Sequence, residues 1–280
     1  MLIPHMKAPP EILYTILTNV LLYIQRRPMV LRLELSHFFC TYNDPEYIKL
    51  VKLDIMYQLA TQSNAADVLD ELQRCVTDIT ESIARKAIHI IGRLALKWSL
   101  VADKCVAALE IIMQGHADYA LQESVIVVKD ILRKYPDRYR HIATMLCDHI
   151  PSLYESQAKV SIIWILGHFC DYVDGATDAL HDYALSFLDE SSDVQLALLT
   201  AAVKLFLRKP KSSGAIVQKI LHEATNLIAN PDVRDRGYFY MRLLTMDANM
   251  ATAVVFADAA PEEALDLIQQ HVLDQLILHG

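Results

Sequence analysis

The stretch Val194-Gln-Leu-Ala-Leu-Leu-Thr-Ala-Ala-Val-Lys-Leu-Phe-Leu-Arg-Lys-Pro210 has the pattern of a strongly buried helix that ends at a basic corner. Its apolar residues share one broad helix face, as expected of a helix that others cover. The residues before it predict an N-cap, because Ser191, Ser192 and Asp193 are of the types that cap helices. Arg208 and Lys209 complement the negative end of the helix, and Pro210 stops its propagation.

This pattern recurs along the chain at a nearly constant step. Equivalent positions follow one another at spacings of 35, 37, 38, 37 and 37, and they are Tyr57, Gly92, Lys129, Gly167, Lys204 and Met241. The residues one and two before each position, and two and three after it, are apolar and are predicted to be buried, so they form columns of core residues. Milder amphipathic helices are predicted between these inner helices, at 65–76, 100–113, 139–150 and 215–228. Two helices per roughly 37 residues indicate an all-α, HEAT or armadillo-like array, a right-handed solenoid of helix pairs.

The composition supports one extended helical domain. Hydrophobic residues make up 53% of the 280 residues, mean hydropathy is +0.22, and only 7 glycines are present. No linker or low-complexity tract divides the chain, so residues 1–280 are predicted to form a single helical-repeat domain. No apolar run reaches the roughly 20 residues of a membrane span. The N-terminus lacks a secretory signal, so a cytoplasmic protein is expected.

Enzymatic chemistry is not indicated. The glycines are too scattered for a phosphate-binding loop, and Asn226 stands where a helical zinc-protease motif beginning at His222 needs its second histidine. No cofactor or small-molecule substrate is implied. A net charge of -8 argues against a nucleic-acid partner.

No metal site is predicted either. His168 and Cys170 are two positions apart on a helix and point in different directions. The five cysteines are widely spaced and lie mostly in apolar helical stretches, which suits reduced core thiols. They are Cys40, Cys75, Cys105, Cys147 and Cys170.

Three predicted inner helices end in basic pairs followed by proline. The pairs are Arg26 with Arg27, Arg133 with Lys134, and Arg208 with Lys209. One interpretation is that these cations only stabilise helix ends. The other is that equivalent corners lie along one edge of the array, where they bind anionic lipid or an acidic partner.

With the repeat register fixed, several segments resemble the trunk of beta-adaptin, the large beta subunit of clathrin adaptor complexes. The resemblance runs from about Pro10 to Leu244 and is carried by Tyr42-Asn-Asp-Pro45, Arg85-Lys-Ala-Ile-His-Ile-Ile-Gly-Arg93, Ile163-Trp-Ile-Leu-Gly167, Asp235-Arg-Gly-Tyr238 and the stretches 122–136 and 194–210. The chain is similar to the C-terminal half of the trunk only. The clathrin-binding hinge and the ear domain of the family have no counterpart in it.

The resemblance implies a scaffold subunit for vesicle-mediated intracellular protein transport. In the family, this half of the trunk cradles the medium (mu) subunit within a heterotetramer that recognises sorting signals on membrane cargo. Membrane and clathrin association would be indirect, through the full-length complex. The expected location is the cytoplasmic side of coated vesicles, at the trans-Golgi or in endocytosis at plasma membrane coated pits.

Two residues are assigned a gating role by the resemblance alone. In the locked form of such complexes, an apolar residue ahead of one inner helix and a tyrosine ahead of the next cover the medium subunit's pocket for tyrosine-type signals. By alignment these positions fall on Ile79 and Tyr119. The alternative is that both side chains simply staple their own corners. For the whole chain, the alternative function is a HEAT-repeat scaffold of another class, such as a coatomer-like or nuclear transport protein.

Overall fold

The chain is all helical in a computed structural model that describes residues 8–115, 117–246 and 248–257. Those residues contain thirteen α-helices, some 3₁₀ segments and no strand. The helices are α1 (Pro10–Arg26), α2 (Glu46–Leu59), α3 (Ala65–Val76), α4 (Glu81–Lys97), α5 (Ala102–Met113), α6 (Asp118–Lys134), α7 (Arg140–Cys147), α8 (Ser156–His168), α9 (Ala176–Leu185), α10 (Ser192–Arg208), α11 (Pro210–Asn226), α12 (Pro231–Met246) and α13 (Ala248–Val255). The predicted fold class is confirmed.

The chain divides into two compact units, and the boundary between them lies inside α6, between Ser124 and Val125. In the first unit, α3 packs against α4, α4 contacts both α2 and α5, and α1 packs on α2. A 3₁₀ segment, Pro28–Phe38, contacts α1 and α2. The single-domain organisation inferred from the sequence stays a prediction.

In the second unit, the inner helices α8, α10 and α12 contact one another in chain order. The outer helices α9 and α11 lie against α10, and α13 packs against both α10 and α12. Successive helix pairs therefore cover each other's apolar faces, as the units of a repeat array do. No described helix is both long enough and apolar enough to cross a membrane.

Hydrogen bonds within each unit follow the repeat. They join residues 36 to 40 positions apart, close to the step read from the sequence: Glu46 to Ser82, Ser192 to Asn230, Cys170 to Lys209, and Thr200 to Tyr240. A residue and its counterpart in the next repeat are thus direct neighbours. The step measured in the sequence is the physical step of the structure.

The predicted core columns are buried in most repeats. Ile55, Ile90, Val127, Ile165 and Ala202 occupy one column and are each no more than 2% exposed. The last repeat departs from this pattern, because Phe239 in α12 is 46% exposed. Its neighbour Tyr240 is buried instead and bonds to Thr200. The face of α12 that contacts α10 therefore centres on Tyr240, and the expectation that Phe239 is buried was wrong.

Two outer helices differ in extent from their predicted spans. α11 begins at Pro210, five residues early, because a proline fits the first turn of a helix, where its missing N–H is not needed. α7 stops at Cys147, and a short 3₁₀ segment, Ile150–Ser152, carries Pro151. Pro210 therefore follows the end of α10 and is itself the first residue of α11.

Candidate partner-binding sites

Ile79 stands fully outside the packing of the first unit. It lies between α3 and α4 and is 93% exposed, the largest exposed fraction of any bulky apolar residue among those described. Covering such a side chain stabilises an interface by about 1.5–3 kcal/mol. Because Ile79 buries almost nothing in the chain itself, it does not staple its own corner. Its apolar surface is available to a partner.

The backbone that carries Ile79 is held rigidly by its neighbour Asp78. One oxygen of Asp78 accepts a hydrogen bond from Lys49 Nζ at 2.6 Å, and the other accepts one from the Thr80 N–H at 3.0 Å. Burial alone would raise the pKa of Asp78, but the bonds from Lys49 and Thr80 outweigh it and lower the pKa below its usual value. The same pair raises the pKa of Lys49. The exposed isoleucine is therefore presented from a fixed corner.

Tyr119 occupies a different local position from Ile79. The sequence placed both residues ahead of their inner helices, whereas Tyr119 is the second residue of α6 and is half-buried. Ala120 beside it is buried. The first turn of a helix fixes the backbone of Tyr119, so both candidate residues stand on ordered structure in the first unit.

A basic cleft lies in the second unit, between α6, α8, α10 and α12. Its volume is about 470 Å³, and it is lined by four cations, one acid and several apolar side chains that include Trp164. The cations are Lys129, Arg133, Lys204 and Arg236. Of the four, Arg133 alone was predicted from the sequence as a candidate site residue, whereas Lys129 and Lys204 were noted only as repeat positions. The other three come from inner helices of different repeats, which stack them on one face.

Lys204 gives the cleft an unusual electrostatic character. It is 8% exposed, and in the described part of the chain no carboxylate pairs with Lys204, Arg133 or Arg236. The Nζ atom of Lys204 lies 3.5 Å from His168 Nδ1 and 5.7 Å from the ring centroids of both Trp164 and Phe256. Burial, and then repulsion from Arg133, lowers the pKa of Lys204. A buried cation without an anion costs free energy that an incoming acidic group would recover.

The remaining basic corner residues have varied roles. Lys209 Nζ donates to the Cys170 carbonyl at 2.6 Å and so ties α10 to the end of α8. Arg208 lies 3.6 Å from Asp171 and over the ring of Phe256. Lys134 is exposed beside the Tyr135 ring, and Arg26 and Arg27 are exposed at the end of α1. Of the six, Arg133 alone lines the basic cleft.

The fold and these surfaces define a helical-repeat scaffold, and the comparisons identify its family. Residues 1–248 match the adaptin N-terminal region, and the chain belongs to this family. It is 44% identical to the AP-1 complex subunit beta-1 of Mus musculus over 279 residues, 99% of this chain and 30% of that protein. It is 41% identical to the AP-1 complex subunit beta of Dictyostelium discoideum, again over 99% of this chain and 30% of the relative.

The chain is also similar to a fungal relative and to a chain of another adaptor assembly. The AP-2 complex subunit beta of Schizosaccharomyces pombe is 36% identical over 89% of this chain and 37% of its own length. A homology model of the full-length AP-3 complex in an intermediate open conformation contains a similar chain, with a TM-score of 0.64 and 17% identity over 85% of this chain and 43% of that one. At that identity the likeness concerns the fold. The chain spans about a third of the curated relatives it matches.

Proposed function

We propose that the chain is a scaffold portion of the beta subunit of a clathrin-associated adaptor complex, and that it holds the medium subunit. The observation that carries the proposal is the 44% identity to an AP-1 beta subunit over 99% of the chain. The same identity favours an adaptor over a coatomer-like or nuclear transport scaffold. On this proposal the chain acts on vesicle coats in the cytoplasm, at the trans-Golgi or the plasma membrane.

Two surfaces suit contact with a medium subunit. Ile79 offers a fixed, exposed apolar side chain, and Tyr119 lies in the first turn of α6. In the proposed function these two residues cover the tyrosine-signal pocket of the medium subunit when the complex is locked. An apolar side chain and a phenol ring are chemically suited to covering a pocket that receives a tyrosine-type signal.

The basic cleft is proposed to receive acidic side chains of the partner subunit. Arg133 and Lys204 lack a carboxylate within the described chain, and the Trp164 ring gives the cleft an apolar wall. A protein partner can satisfy both features, because carboxylates pair with the cations while a neighbouring apolar residue covers the indole. This use favours the acidic-partner interpretation of Arg133 over an anionic-lipid strip.

Co-expression with medium subunits tests the proposal directly. A stable hemicomplex should form and co-elute in size-exclusion chromatography with a medium chain of an AP-1 or AP-2 complex. Failure with every adaptor medium chain would contradict the proposed function. Medium chains from different adaptors, compared by affinity, identify which complex the chain serves.

A matched pair of substitutions tests the cleft. Arg133→Glu reverses a charge that lines the cleft, whereas Lys134→Glu reverses the adjacent charge outside it. We expect Arg133→Glu to weaken the hemicomplex roughly tenfold or more and Lys134→Glu to change it little. Equal losses would indicate a general charge effect and would reject the cleft as the contact.

A further inference from the structure

A second cluster lies in the first unit, away from the surfaces described above, and it does not depend on the proposed function. Cys40 follows the 3₁₀ segment, while Glu71 and Cys75 are four residues apart on α3 and so share one helix face. One ligand atom from each residue, two thiol sulfurs and a carboxylate oxygen, lies within 4.8 Å of the others. Glu71 and Cys75 are each 5% exposed. We propose that Cys40, Glu71 and Cys75 form a binding site for Zn²⁺.

The cluster is compact enough for a small contraction to bring its ligand atoms to the spacing of a tetrahedral site. With Zn–S near 2.3 Å and Zn–O near 2.1 Å, the ligand atoms of a bound ion stand roughly 3.5–3.8 Å apart. The observed cluster therefore has to contract by about 1 Å. Cys40 can supply this movement, because it lies outside any helix and a rotation about its χ1 moves the sulfur. Two thiolates and a carboxylate leave the fourth position to water.

The carboxylate is already oriented by groups around it. Oε1 of Glu71 accepts the Cys40 backbone N–H at 3.1 Å, and Oε2 accepts Arg74 Nη1 at 3.3 Å. Each oxygen retains a second lone pair for a metal. Such supporting hydrogen bonds are typical of metal sites, where they fix ligand direction and charge.

Charge and access also suit a cation. A cleft of about 420 Å³ opens on Glu71, and its lining includes Asp67 and Asp70 with Arg74 as the one cation. The exposed carboxylates attract a divalent ion toward the buried end. On binding, each thiol releases its proton to solvent, and Lys52 near Cys40 offsets part of the ligand charge.

The three-ligand set distinguishes this site from a simple thiol pair. A disulfide between Cys40 and Cys75 would involve the sulfurs alone and would give the buried Glu71 carboxylate no part. Zn²⁺ uses all three groups. The two chemistries are separated by whether the fully reduced chain takes up metal.

Equilibrium dialysis of the reduced chain against ZnCl₂, followed by metal analysis, measures the stoichiometry. We expect one Zn²⁺ per chain. Titration with Co²⁺ should give the visible d–d bands of tetrahedral cobalt together with thiolate-to-metal charge-transfer absorption. Cys40→Ser and Cys75→Ser should weaken Zn²⁺ binding roughly 100-fold or more, and Glu71→Gln about tenfold.

Cys147→Ser is the matched control. Its sulfur bonds to the Ala143 carbonyl within α7, a contact a serine hydroxyl can also make, so Zn²⁺ binding should be unchanged. Circular dichroism verifies that each variant is folded, and Cys40→Ser, outside any helix, keeps the test valid if Cys75→Ser unfolds. Absence of stoichiometric metal in the reduced wild-type chain, or unchanged binding in folded Cys40→Ser, would overturn the proposal. A Cys40–Cys75 disulfide in air without metal uptake by the reduced chain would do the same.

Discussion

Gly167 in α8 packs directly on Ala201 in α10. A Cβ at position 167 would lie 2.7 Å from both the Cα and the Cβ of Ala201, closer than real side chains approach. The two inner helices therefore meet backbone to backbone, and the shift that an extra methyl requires involves a helix and not a flexible side chain. This contact sets how closely α8 and α10 stack.

The first prediction follows from that contact. Gly167→Ala should destabilise the chain by about 1–3 kcal/mol, because overpacking outweighs the better helix propensity of alanine. Thermal or urea unfolding measures the change. Gly214→Ala in α11 is the control, since a Cβ there meets nothing closer than Phe206 Cε2 at 4.0 Å. That substitution should be neutral or stabilising by up to about 1 kcal/mol. Similar losses for both variants would contradict the argument.

The second prediction concerns a buried ion pair in the first unit. Lys52 Nζ lies 2.6 Å from Asp44 Oδ2, with side-chain exposures of 5% and 13%. Asp44→Asn should cost roughly 3 kcal/mol, because it leaves a buried ammonium without its anion. Asp54→Asn is matched, since the Lys86–Asp54 pair has the same 2.6 Å distance but is about one-third exposed. Its loss should stay below about 1 kcal/mol.

The third prediction is the pH dependence of the stability that the Asp44 and Asp78 carboxylates contribute. Burial tends to raise the pKa of Asp44, yet hydrogen bonds from Lys52 and Thr41 dominate and lower it, and Asp78 behaves alike through Lys49. A carboxyl with a lowered folded pKa contributes stability above its unfolded pKa of about 4 and loses that contribution as pH falls through the folded value. Melting temperature should therefore drop between about pH 5 and pH 3. Asp44→Asn should be less stable at pH 7 and less sensitive to acid, and an equally steep profile would contradict this.

The fourth prediction is that the basic cleft reduces the stability of the isolated chain. Lys204→Met keeps the volume of the stem and removes a buried ammonium that has no carboxylate partner, so it should stabilise the chain by about 1 kcal/mol. The folded pKa of Lys204 is lowered by burial and by Arg133, so the penalty in the wild type is full below that pKa and fades as pH rises toward 10.5. The stabilising effect of Lys204→Met should shrink accordingly.

Lys219→Met is the control for that experiment. Lys219 has a side chain 38% exposed and lies 3.9 Å from Glu223 in the same helix. Its replacement should change the free energy of unfolding by less than about 0.5 kcal/mol. Destabilisation by Lys204→Met would show that the ammonium is well accommodated in the chain and would remove the argument for an acidic ligand.

The fifth prediction tests gating in an assembled complex. Ile79→Ser combined with Tyr119→Ser should raise the affinity for a peptide with a tyrosine-type sorting signal by roughly tenfold, since the pocket no longer has to be uncovered. Calorimetry or fluorescence anisotropy measures it. Leu100→Ser replaces another apolar residue, 76% exposed in the first unit, and should leave affinity unchanged. Unchanged peptide binding in the double variant would reject the assignment of Ile79 and Tyr119.

The sequence predicted the helical array because burial in a repeat follows the period of the helix. Apolar residues such as Ile55, Ile90 and Val127 recur once per repeat. Packing between neighbouring repeats is what requires an apolar residue at each of these positions. Phe239 broke the pattern because apolar character does not determine which of two adjacent aromatic residues turns inward. Ile79 was identified only through the family resemblance. Its exposure could not be predicted from the sequence, because it depends on how the hydrogen bonds of Asp78 hold the corner.

The clusters were harder to predict because they join positions from different helices. Lys204 was recognised as a repeat position, but its burial without an acid depends on side chains from several inner helices. Cys40 and Cys75 are 35 positions apart, close to one repeat, and this spacing is the one sequence signal that could have paired them. The cysteines were interpreted as separate core thiols, so the repeat spacing between Cys40 and Cys75 did not suggest a shared site.

The hydrogen bond from Lys209 to the Cys170 carbonyl links a repeat only to the one before it, as do the bonds of Asn230 to Ser192 and Tyr240 to Thr200. Cooperativity in the second unit is therefore of nearest-neighbour kind. Heat or denaturant should open the unit from an end, one helix pair after another. Amide exchange would then show protection that is greatest in α10, which has neighbours on both sides, and declines toward α13.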